Sequence, residues 1–280
     1  MDSSLSWSDL NPVAVQQLID GLVGDNPQLI TDKKSLKSIF SCIDLTTLES
    51  TDNEEKIIQF CQKAIAFAEK GLPFPAAVCV YPPFVRSVKK YLYGTGISVA
   101  AATGYFPSGQ SPLFLKKEEV KYVLDEGADE VDFVISRGKF LEGDYNYIHD
   151  EIASIRQLTK TLPLKVILET GDLKIFDNIK KASEIAIGAG ADFIKTSTGK
   201  ILPAATEEAA FVMIHVIHDH YLVTGKRIGF KPSGGITGTL QALRYYLMVR
   251  LILGEEWLGK DLFRIGASRL ADQLAIELSA

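Results

Sequence analysis

The chain has little of what marks secreted, membrane or nucleic-acid-binding proteins. Three cysteines among 280 residues are too few for a disulfide framework, and their spacing is not that of a metal site. No run of about 18 uninterrupted apolar residues is present, which argues against a transmembrane helix. Acidic residues outnumber basic ones, and the formal net charge of -5 provides no basic surface for nucleic acid and no polybasic membrane anchor. The first residues also lack the basic start and apolar core of a signal peptide, so a cytoplasmic protein is expected.

What is present is the composition and pattern of a globular α/β protein. Hydrophobic residues make up 46% of the chain and charged residues 23%, enough to bury a large core. No Pro/Gly/Ser-rich linker divides the sequence, which favours a single domain over residues 1–280. From residue 38 onward, short apolar runs alternate with longer helical patterns, as in βαβ units with a parallel sheet. The predicted strands are 38–45, 76–81, 97–103, 130–135, 164–169, 191–196, 227–231 and 262–266.

Eight strands with intervening helices make a closed (β/α)8 barrel, a TIM barrel, the economical interpretation. The helices predicted after the strands are 53–70, 83–93, 115–126, 145–160, 174–189, 206–223, 237–253 and 268–279. An extra amphipathic helix is predicted at 9–23, with Asp9 or Asn11 as its cap and Pro12 in its first turn. We expect residues 1–36 to form a helical N-terminal extension that covers the bottom of the barrel or a subunit contact.

Two lysines occupy the same kind of position in this predicted barrel. Lys195 ends the apolar run of strand six and Lys231 ends that of strand seven, and each precedes a polar loop that contains glycine. The carboxyl ends of parallel strands gather on one face of a barrel, where such enzymes place their chemistry. An amine is a nucleophile only without its proton, and burial or a second cation promotes that loss. The pair therefore suggests Schiff-base chemistry, although either lysine alone would more often be a solvated strand-end residue.

Asp132 interrupts Glu-Val-Asp-Phe-Val-Ile, a run that should be buried on both faces of the sheet. An unpaired buried charge is costly, so a lysine partner across the barrel is expected. A purely structural ion pair is the alternative to a catalytic role. The preceding Asp129 and Glu130 are interpreted as solvated loop residues, and Glu169 at the end of strand five as a support for neighbouring cations.

Several separate segments resemble one enzyme family. They are Asp-Leu-Thr-Thr-Leu at 44–48, Asp-Phe-Ile-Lys-Thr-Ser-Thr-Gly-Lys at 192–200, Gly-Phe-Lys-Pro-Ser-Gly-Gly at 229–235 and Phe-Arg-Ile-Gly-Ala-Ser at 263–268. In this order they resemble the deoxyribose-phosphate aldolases, which are class I aldolases, over about residues 38–275. The resemblance implies reversible cleavage of 2-deoxy-D-ribose 5-phosphate to D-glyceraldehyde 3-phosphate and acetaldehyde, in deoxyribose phosphate catabolism, with no metal and no cofactor.

The resemblance also implies roles for individual residues. Lys195 forms the Schiff base with the substrate. Asp132 and Lys231 exchange protons with the intermediates, and Lys231 in addition lowers the pKa of Lys195. The substrate-binding residues that it implies are Asp44, Thr46 and Thr198.

Three loops on consecutive strands predict a phosphate site. Glycines let backbone N–H groups approach an anion, and barrels often hold phosphate between the loops after strands seven and eight. The expected phosphate-binding residues are Gly199, Lys200, Gly234, Gly235, Gly266 and Ser268. Two positions depart from the family pattern, because Thr237 stands where some relatives have arginine and Arg269 where they have a second serine. We therefore hypothesise that Arg269 reaches the phosphate, and we expect no C-terminal tyrosine to take part, since the chain ends Ile-Glu-Leu-Ser-Ala.

Two other functions remain open on sequence alone. Another Schiff-base barrel that acts on a longer sugar phosphate, as transaldolase does, would need a larger acceptor pocket. An inert phosphosugar-binding barrel would keep the loops for sensing but would not need the acid/base residue and both lysines. His215, His218 and His220 are interpreted as outer-surface residues rather than metal ligands. The expected partners are small phosphorylated sugars and aldehydes, and a homodimer is the expected assembly.

Overall fold

The computed structural model describes residues 11–24 and 32–279. Its strands are β1 (Ile43–Thr46), β2 (Ala77–Val80), β3 (Ser98–Thr103), β4 (Glu130–Val134), β5 (Leu164–Ile167), β6 (Phe193–Lys195), β7 (Gly229–Lys231) and β8 (Ile265–Ala267). Its helices are α1 (Pro12–Gly24), α2 (Lys33–Ser41), α3 (Glu54–Glu69), α4 (Val85–Tyr91), α5 (Leu113–Asp125), α6 (Arg137–Leu141), α7 (Tyr145–Thr159), α8 (Thr170–Leu173), α9 (Phe176–Gly188), α10 (Glu207–Thr224), α11 (Thr239–Leu253) and α12 (Arg269–Ser279). Two short 3-10 turns lie at Pro82–Phe84 and Glu255–Trp257.

The eight strands are parallel and form a closed barrel. Neighbouring strands pair in the order β7-β6-β5-β4-β3-β2-β1-β8. The ring closes between its two ends, where parallel bridges join Phe230 to Phe263 and Ser233 to Gly266. The predicted TIM barrel is confirmed, and the C-terminal ends of all eight strands open on one face.

The inside of the barrel is divided into an apolar side and a charged side. On β2 and β3, small inward residues form a cluster of their own under Leu48, composed of Ala77, Cys79, Ala100 and Ala102. Strands β1, β4, β5, β6 and β7 carry buried ionisable residues, and Arg264 lies just before β8. Outward residues such as Phe133 pack into the main core beneath the helices.

Helix α1 packs on the outside of the barrel, against α10 and α11. Its cap is Asn11, whose side-chain oxygen accepts from the Ala14 N–H at 2.8 Å. Arg244 on α11 holds the helix in place, because its guanidinium bridges Asp20 and Glu207 at 2.6 and 2.7 Å. Helix α1 therefore does not take the position beneath the barrel, the subunit contact stays a prediction, and the alternative cap Asp9 lies outside the described residues.

The first strand begins later than predicted, because the first half of 38–45 is helical. Helix α2 ends at Ser41, and β1 starts at Ile43. Asp32 caps α2 by accepting from the N–H groups of Lys34 and Ser35. The apolar residues at 36, 39 and 40 follow the helical spacing and are buried, so the pattern had been misread as extended. The boundary of the extension, placed at residue 36, falls inside this helix.

Two other segments differ from the sequence prediction. The helix expected at 174–189 is observed as α9, and two short helices, α6 after β4 and α8 after β5, were not predicted. Within the described residues, no helix is both long enough and apolar enough to span a membrane.

Candidate active site

The two strand-end lysines lie side by side inside the barrel. Lys195 is the last residue of β6 and Lys231 is the last residue of β7, and the two are register partners in the sheet. Their side chains are 1% and 0% exposed. Neither lysine is therefore a solvated strand-end residue, and the alternative based on solvent exposure is excluded.

Asp132 is the hub that connects these lysines. Its Oδ2 accepts from Lys195 Nζ at 2.8 Å and from Lys231 Nζ at 2.6 Å, while its Oδ1 accepts from Lys165 Nζ at 2.9 Å. Asp132 therefore has three lysine partners, where the sequence predicts one. Each hydrogen bond is charge-assisted and fully buried, which fixes the orientation of the Lys195 and Lys231 amines.

Three further charged residues surround this hub, and sequence reasoning missed them as site residues. Lys165 on β5 contacts Glu130 and Asp132, and Arg264 just before β8 contacts Asp44 and Glu130. Glu130 is 3% exposed, so its interpretation as a solvated loop residue is wrong. Its position two residues before Asp132 was the available signal, because residues i and i+2 of a strand point to the same face.

The interior charge network consists of three carboxylates and four basic groups. Its members are Asp44, Glu130, Asp132, Lys165, Lys195, Lys231 and Arg264, and all are buried. If every member were ionised, the network would carry one positive charge in excess. An uncompensated buried charge is strongly unfavourable, so the network favours the loss of one proton from a base.

Lys195 is the base best placed to lose that proton. Burial lowers the pKa of Lys195, Asp132 opposes this effect and the charge of Lys231 adds to it, and the net shift is downward. At Lys231 burial also favours the neutral amine, but Asp132 and Asp44 outweigh it and the pKa is raised. The pKa of Asp132 lies well below its usual range despite burial, because Lys165 and the two other lysines stabilise the anion. The arrangement thus places an amine that loses its proton more easily beside an amine with a raised pKa and a carboxylate with a lowered one.

Asp44 and Thr46, predicted to bind substrate, both lie at the end of β1 but have different surroundings. The Asp44 carboxylate is fully buried and accepts from Arg264 at 2.5 Å and from Lys231. Both of its oxygens therefore belong to the interior charge network. Thr46 is half-buried, donates its hydroxyl to the Asp44 carbonyl oxygen at 2.7 Å and lines the cleft described below.

Glu169 braces the loop that carries Thr198. The glutamate adopts a left-handed backbone conformation with φ of 58° as the chain leaves β5. Its carboxylate accepts from the Thr198 hydroxyl at 2.5 Å and from the Thr198 N–H at 3.2 Å, and it pairs with Arg137 at 3.1 Å. Burial raises the pKa of Glu169, while the hydrogen bonds from Thr198 oppose this effect. The expected support of a neighbouring cation is thus observed at Arg137, on the unpredicted helix α6.

The three predicted phosphate loops converge on one cleft of about 140 Å³ at the C-terminal face of the barrel. Its lining includes every residue predicted to bind phosphate, namely Gly199, Lys200, Gly234, Gly235, Gly266 and Ser268. Thr46, Thr198 and Ser233 also line it. The cleft therefore joins the predicted phosphate loops to two of the predicted substrate-binding residues.

Glycine is required at the centre of this cleft by close backbone contacts. A Cβ at Gly234 would lie 2.6 Å from the Gly199 Cα, and the backbone of Gly234 has φ of 91°. A Cβ at Gly266 would lie 2.4 Å from the Ser233 hydroxyl oxygen. The loops can approach each other only because these positions have no side chain.

The rim of the cleft carries cations and the beginning of a helix. Lys200 pairs with Glu49 at 3.0 Å across the opening. Ser268 and Arg269 are exposed at the first turn of α12, which points its N-terminus at the cleft. A helix N-terminus and nearby basic side chains both favour an anion.

Cys79 faces the interior charge network from the apolar side of the barrel. Burial raises the pKa of its thiol to about 11, and Asp132 contributes in the same direction. A thiol of this kind is protonated near neutrality and serves as a small apolar side chain.

Comparison with known proteins agrees with the geometry. The model of the DeoC/LacD family of aldolases matches residues 38–250. Human deoxyribose-phosphate aldolase is 42% identical over 245 residues, which cover 83% of this chain and 77% of the human protein. The mouse deoxyribose-phosphate aldolase is 38% identical over 289 residues, which cover 95% of this chain and 90% of the mouse protein.

A solved structure shows the same fold. The deoxyribose phosphate aldolase from Aeropyrum pernix, described as having a unique tetrameric structure, matches with a TM-score of 0.69 and 23% identity. The match covers 97% of this chain and 99% of that one. From the family match over most of its length, and from relatives near 40% identity, this chain belongs to the DeoC/LacD aldolase family.

Proposed function

We propose that this aldolase reversibly cleaves 2-deoxy-D-ribose 5-phosphate to D-glyceraldehyde 3-phosphate and acetaldehyde through a Schiff base on Lys195. The observation that carries the proposal is a buried lysine with a lowered pKa that donates to Asp132, next to a glycine-lined cleft on the same face of the barrel. Human and mouse relatives that bear the name deoxyribose-phosphate aldolase support the substrate.

The reaction begins with the amine of Lys195. Its neutral nitrogen attacks the C1 aldehyde carbon and gives a carbinolamine, which loses water to form a protonated imine. Lys195 and Lys231 both donate to Asp132 Oδ2. Asp132 and Lys231 therefore supply and remove the protons for this step. The imine then withdraws electrons from the C2–C3 bond, so side chains alone provide the electron sink.

Cleavage moves the C2–C3 bonding electrons toward the imine and leaves an enamine on Lys195. The C3 hydroxyl loses its proton as D-glyceraldehyde 3-phosphate departs, and the enamine carbon gains a proton before hydrolysis releases acetaldehyde. Asp132 is the acid/base in both transfers, and Lys231 stabilises its negative charge. General acid–base catalysis of this kind contributes typically about 10² to 10⁴ in rate.

The phosphate would bind in the glycine cleft at the beginning of α12. Backbone N–H groups of the three loops and the ammonium of Lys200 provide the donors, and Arg269 is the exposed guanidinium at the rim. If Arg269 holds the phosphate, Arg269→Ala raises KM for the phosphorylated sugar several-fold and leaves KM for unphosphorylated deoxyribose unchanged. An unchanged KM for the phosphorylated sugar would exclude Arg269 from the phosphate site.

The proposed partners are small phosphorylated sugars and aldehydes, and the cytoplasmic location remains part of this proposal. Partition of activity between cell fractions tests the location. The mass of the protein in solution, measured by light scattering, tests the expected homodimer.

The first experiment is borohydride reduction in the presence of deoxyribose 5-phosphate or acetaldehyde, followed by intact-mass and peptide mass analysis. The proposal predicts a reduced adduct on Lys195 that is absent in Lys195→Ala. Turnover of deoxyribose 5-phosphate, measured against longer sugar phosphates, then decides the substrate. A folded protein that binds the sugar phosphate without forming an adduct would be an inert binder, and the proposal would be wrong.

A further inference from the structure

Arg264 is the guanidinium of the interior charge network, and it holds two of the three carboxylates. Its Nη1 donates to Asp44 Oδ1 at 2.5 Å and to Glu130 Oε2 at 3.1 Å, and its Nη2 donates to Glu130 Oε1 at 2.7 Å. The guanidinium is 4% exposed and lies 5.9 Å from the ring centroid of Phe193. It does not line the glycine cleft. Among the described residues its ion-pair partners are Asp44 and Glu130, so any effect of Arg264 on Lys195 passes through other charges of the network.

The bases of the network differ in how many carboxylates they contact. Arg264 pairs with two carboxylates, Lys231 with two, and Lys165 with two at hydrogen-bond distance and a third at 3.7 Å. Among the described residues, Lys195 pairs with Asp132 alone, and it shares that oxygen with Lys231. Three of the four bases thus balance the three carboxylates before Lys195 is counted.

We infer that Arg264 is a positioning residue that occupies Asp44 and Glu130 and so leaves Lys195 as the one base of the network without a carboxylate of its own. The inference deepens the proposed function, because a base without its own counter-ion is the one that gives up its proton to become a nucleophile. Arg264 suits this task because a guanidinium stays protonated when buried and can hold two carboxylates at once.

The charged and titratable groups that face Lys195 come from six strands or strand ends. They are Asp44 on β1, Cys79 on β2, Glu130 and Asp132 on β4, Lys165 on β5, Lys231 on β7 and Arg264 before β8. Cys79 stays protonated near neutrality, so it does not alter the balance. The balance is set by three carboxylates against three bases other than Lys195.

Removal of a positive charge and removal of a negative charge should therefore shift the pKa of Lys195 in opposite directions. Without the guanidinium of Arg264, the three carboxylates face only three bases, and a protonated Lys195 completes the balance, so its pKa rises. Without the carboxylate of Glu130, the excess of positive charge grows, and the pKa of Lys195 falls. Loss of a unit charge in a buried network shifts a neighbour by about one pKa unit.

The test is an NMR titration of protein labelled with ¹³C at the lysine ε-carbon, without substrate, and the Lys195 signal is identified by its absence in Lys195→Ala. Arg264→Gln should raise the pKa of Lys195 by about one unit, whereas Arg264→Lys should change it by a few tenths at most. Glu130→Gln should lower it. The double variant Arg264→Gln/Glu130→Gln removes one charge of each sign and should return it to the parent value.

Lys116→Met is the matched control, because it removes another fully buried lysine outside the barrel interior. It should destabilise the protein and leave the pKa of Lys195 unchanged. If Arg264→Gln does not fold, the opposite shift in Glu130→Gln and the recovery in the double variant decide the question. The inference is overturned if the pKa of Lys195 stays the same or falls in folded Arg264→Gln, or if the double variant does not restore it.

Because the titration needs no turnover, its outcome is separate from that of the proposed function. If Arg264→Gln shifts the pKa of Lys195 but the protein forms no imine, the charge argument stands and the aldolase proposal is wrong. If the imine forms but Arg264→Gln leaves the pKa of Lys195 unchanged, the aldolase proposal stands and the charge argument is wrong. With both correct, the acidic limb of the pH profile of kcat/KM should move up by about one unit in Arg264→Gln, since the amine must be neutral to attack.

Discussion

Two buried ionic clusters lie on opposite faces of strand β4, and they differ in charge balance. Outside the barrel, Lys116 on α5 donates to Glu151 on α7 at 2.9 Å and to the Ser136 hydroxyl at 2.8 Å, and both charged side chains are fully buried. This outer cluster has one cation and one anion. The interior charge network has four bases for three carboxylates, and Lys195 shares its single partner.

Burial alone does not separate a structural lysine from a reactive one. It lowers the pKa of Lys116 as it does that of Lys195, and at both positions a carboxylate opposes the effect. What Lys116 has in addition is a carboxylate of its own, a second hydrogen bond and the ring of Phe133 at 5.3 Å. What Lys195 has instead is the neighbouring cation Lys231 and a following loop, at Thr198, that lines the cleft. This difference predicts that Lys195, but not Lys116, both changes its protonation state and reaches a substrate.

Replacing the nucleophile should produce the largest effect. Lys195→Ala removes the only amine positioned for imine formation in the proposed mechanism, and kcat should fall by about 10⁴-fold or more. Steady-state kinetics with deoxyribose 5-phosphate measures this loss. The same truncation at Lys116 should leave kcat per folded molecule unchanged, and a comparable loss there would contradict the distinction between the two clusters.

Asp132→Asn should produce the next largest effect, because it keeps the shape of the hub but removes its charge. The variant loses the proton carrier, so kcat should fall by about 10² to 10⁴. The loss of a negative charge also leaves Lys195 more readily deprotonated, so borohydride trapping should still give an adduct. A variant with neither turnover nor adduct would show that Asp132 is needed to hold the amine in place rather than to move protons.

Lys116→Met should affect stability rather than chemistry. It strands the Glu151 carboxylate in the core, and breaking a buried pair in this way costs about 3–5 kcal/mol. Urea denaturation measures the loss, with Lys116→Met/Glu151→Gln as the control, in which part of the stability should return because no unpaired charge remains. If the double variant is less stable than the single one, the penalty does not come from the stranded carboxylate.

The sequence predicted more of the interior charge network than of the outer cluster. Lys195, Lys231 and Asp132 stood out because charges interrupt or end buried strands, and the glycine loops marked the cleft. Lys165 and Arg264 did not stand out, because their partners depend on the register between strands that are distant in sequence. The strand predicted over 38–45 is wrong in its first half for a local reason, since short apolar runs fit a helix and a strand equally well. The Lys116–Glu151 pair was invisible for the same reason as Lys165, because it joins two helices that meet only in the fold.

The smallest effect is expected when the outer cluster is made to resemble the interior one. Glu151→Gln takes away the carboxylate of Lys116, and since the opposing charge is lost, the pKa of Lys116 should fall further. Its ¹³C ε-carbon titration should show that shift, with Lys195 as an internal standard that does not move. Borohydride trapping with acetaldehyde should nevertheless label Lys195 and leave Lys116 unmodified, because Lys116 is fully buried between helices and away from the cleft. An adduct on Lys116 in this variant would mean that charge imbalance is sufficient to make a buried amine reactive. Its absence would show that the barrel contributes access as well as an unmatched base.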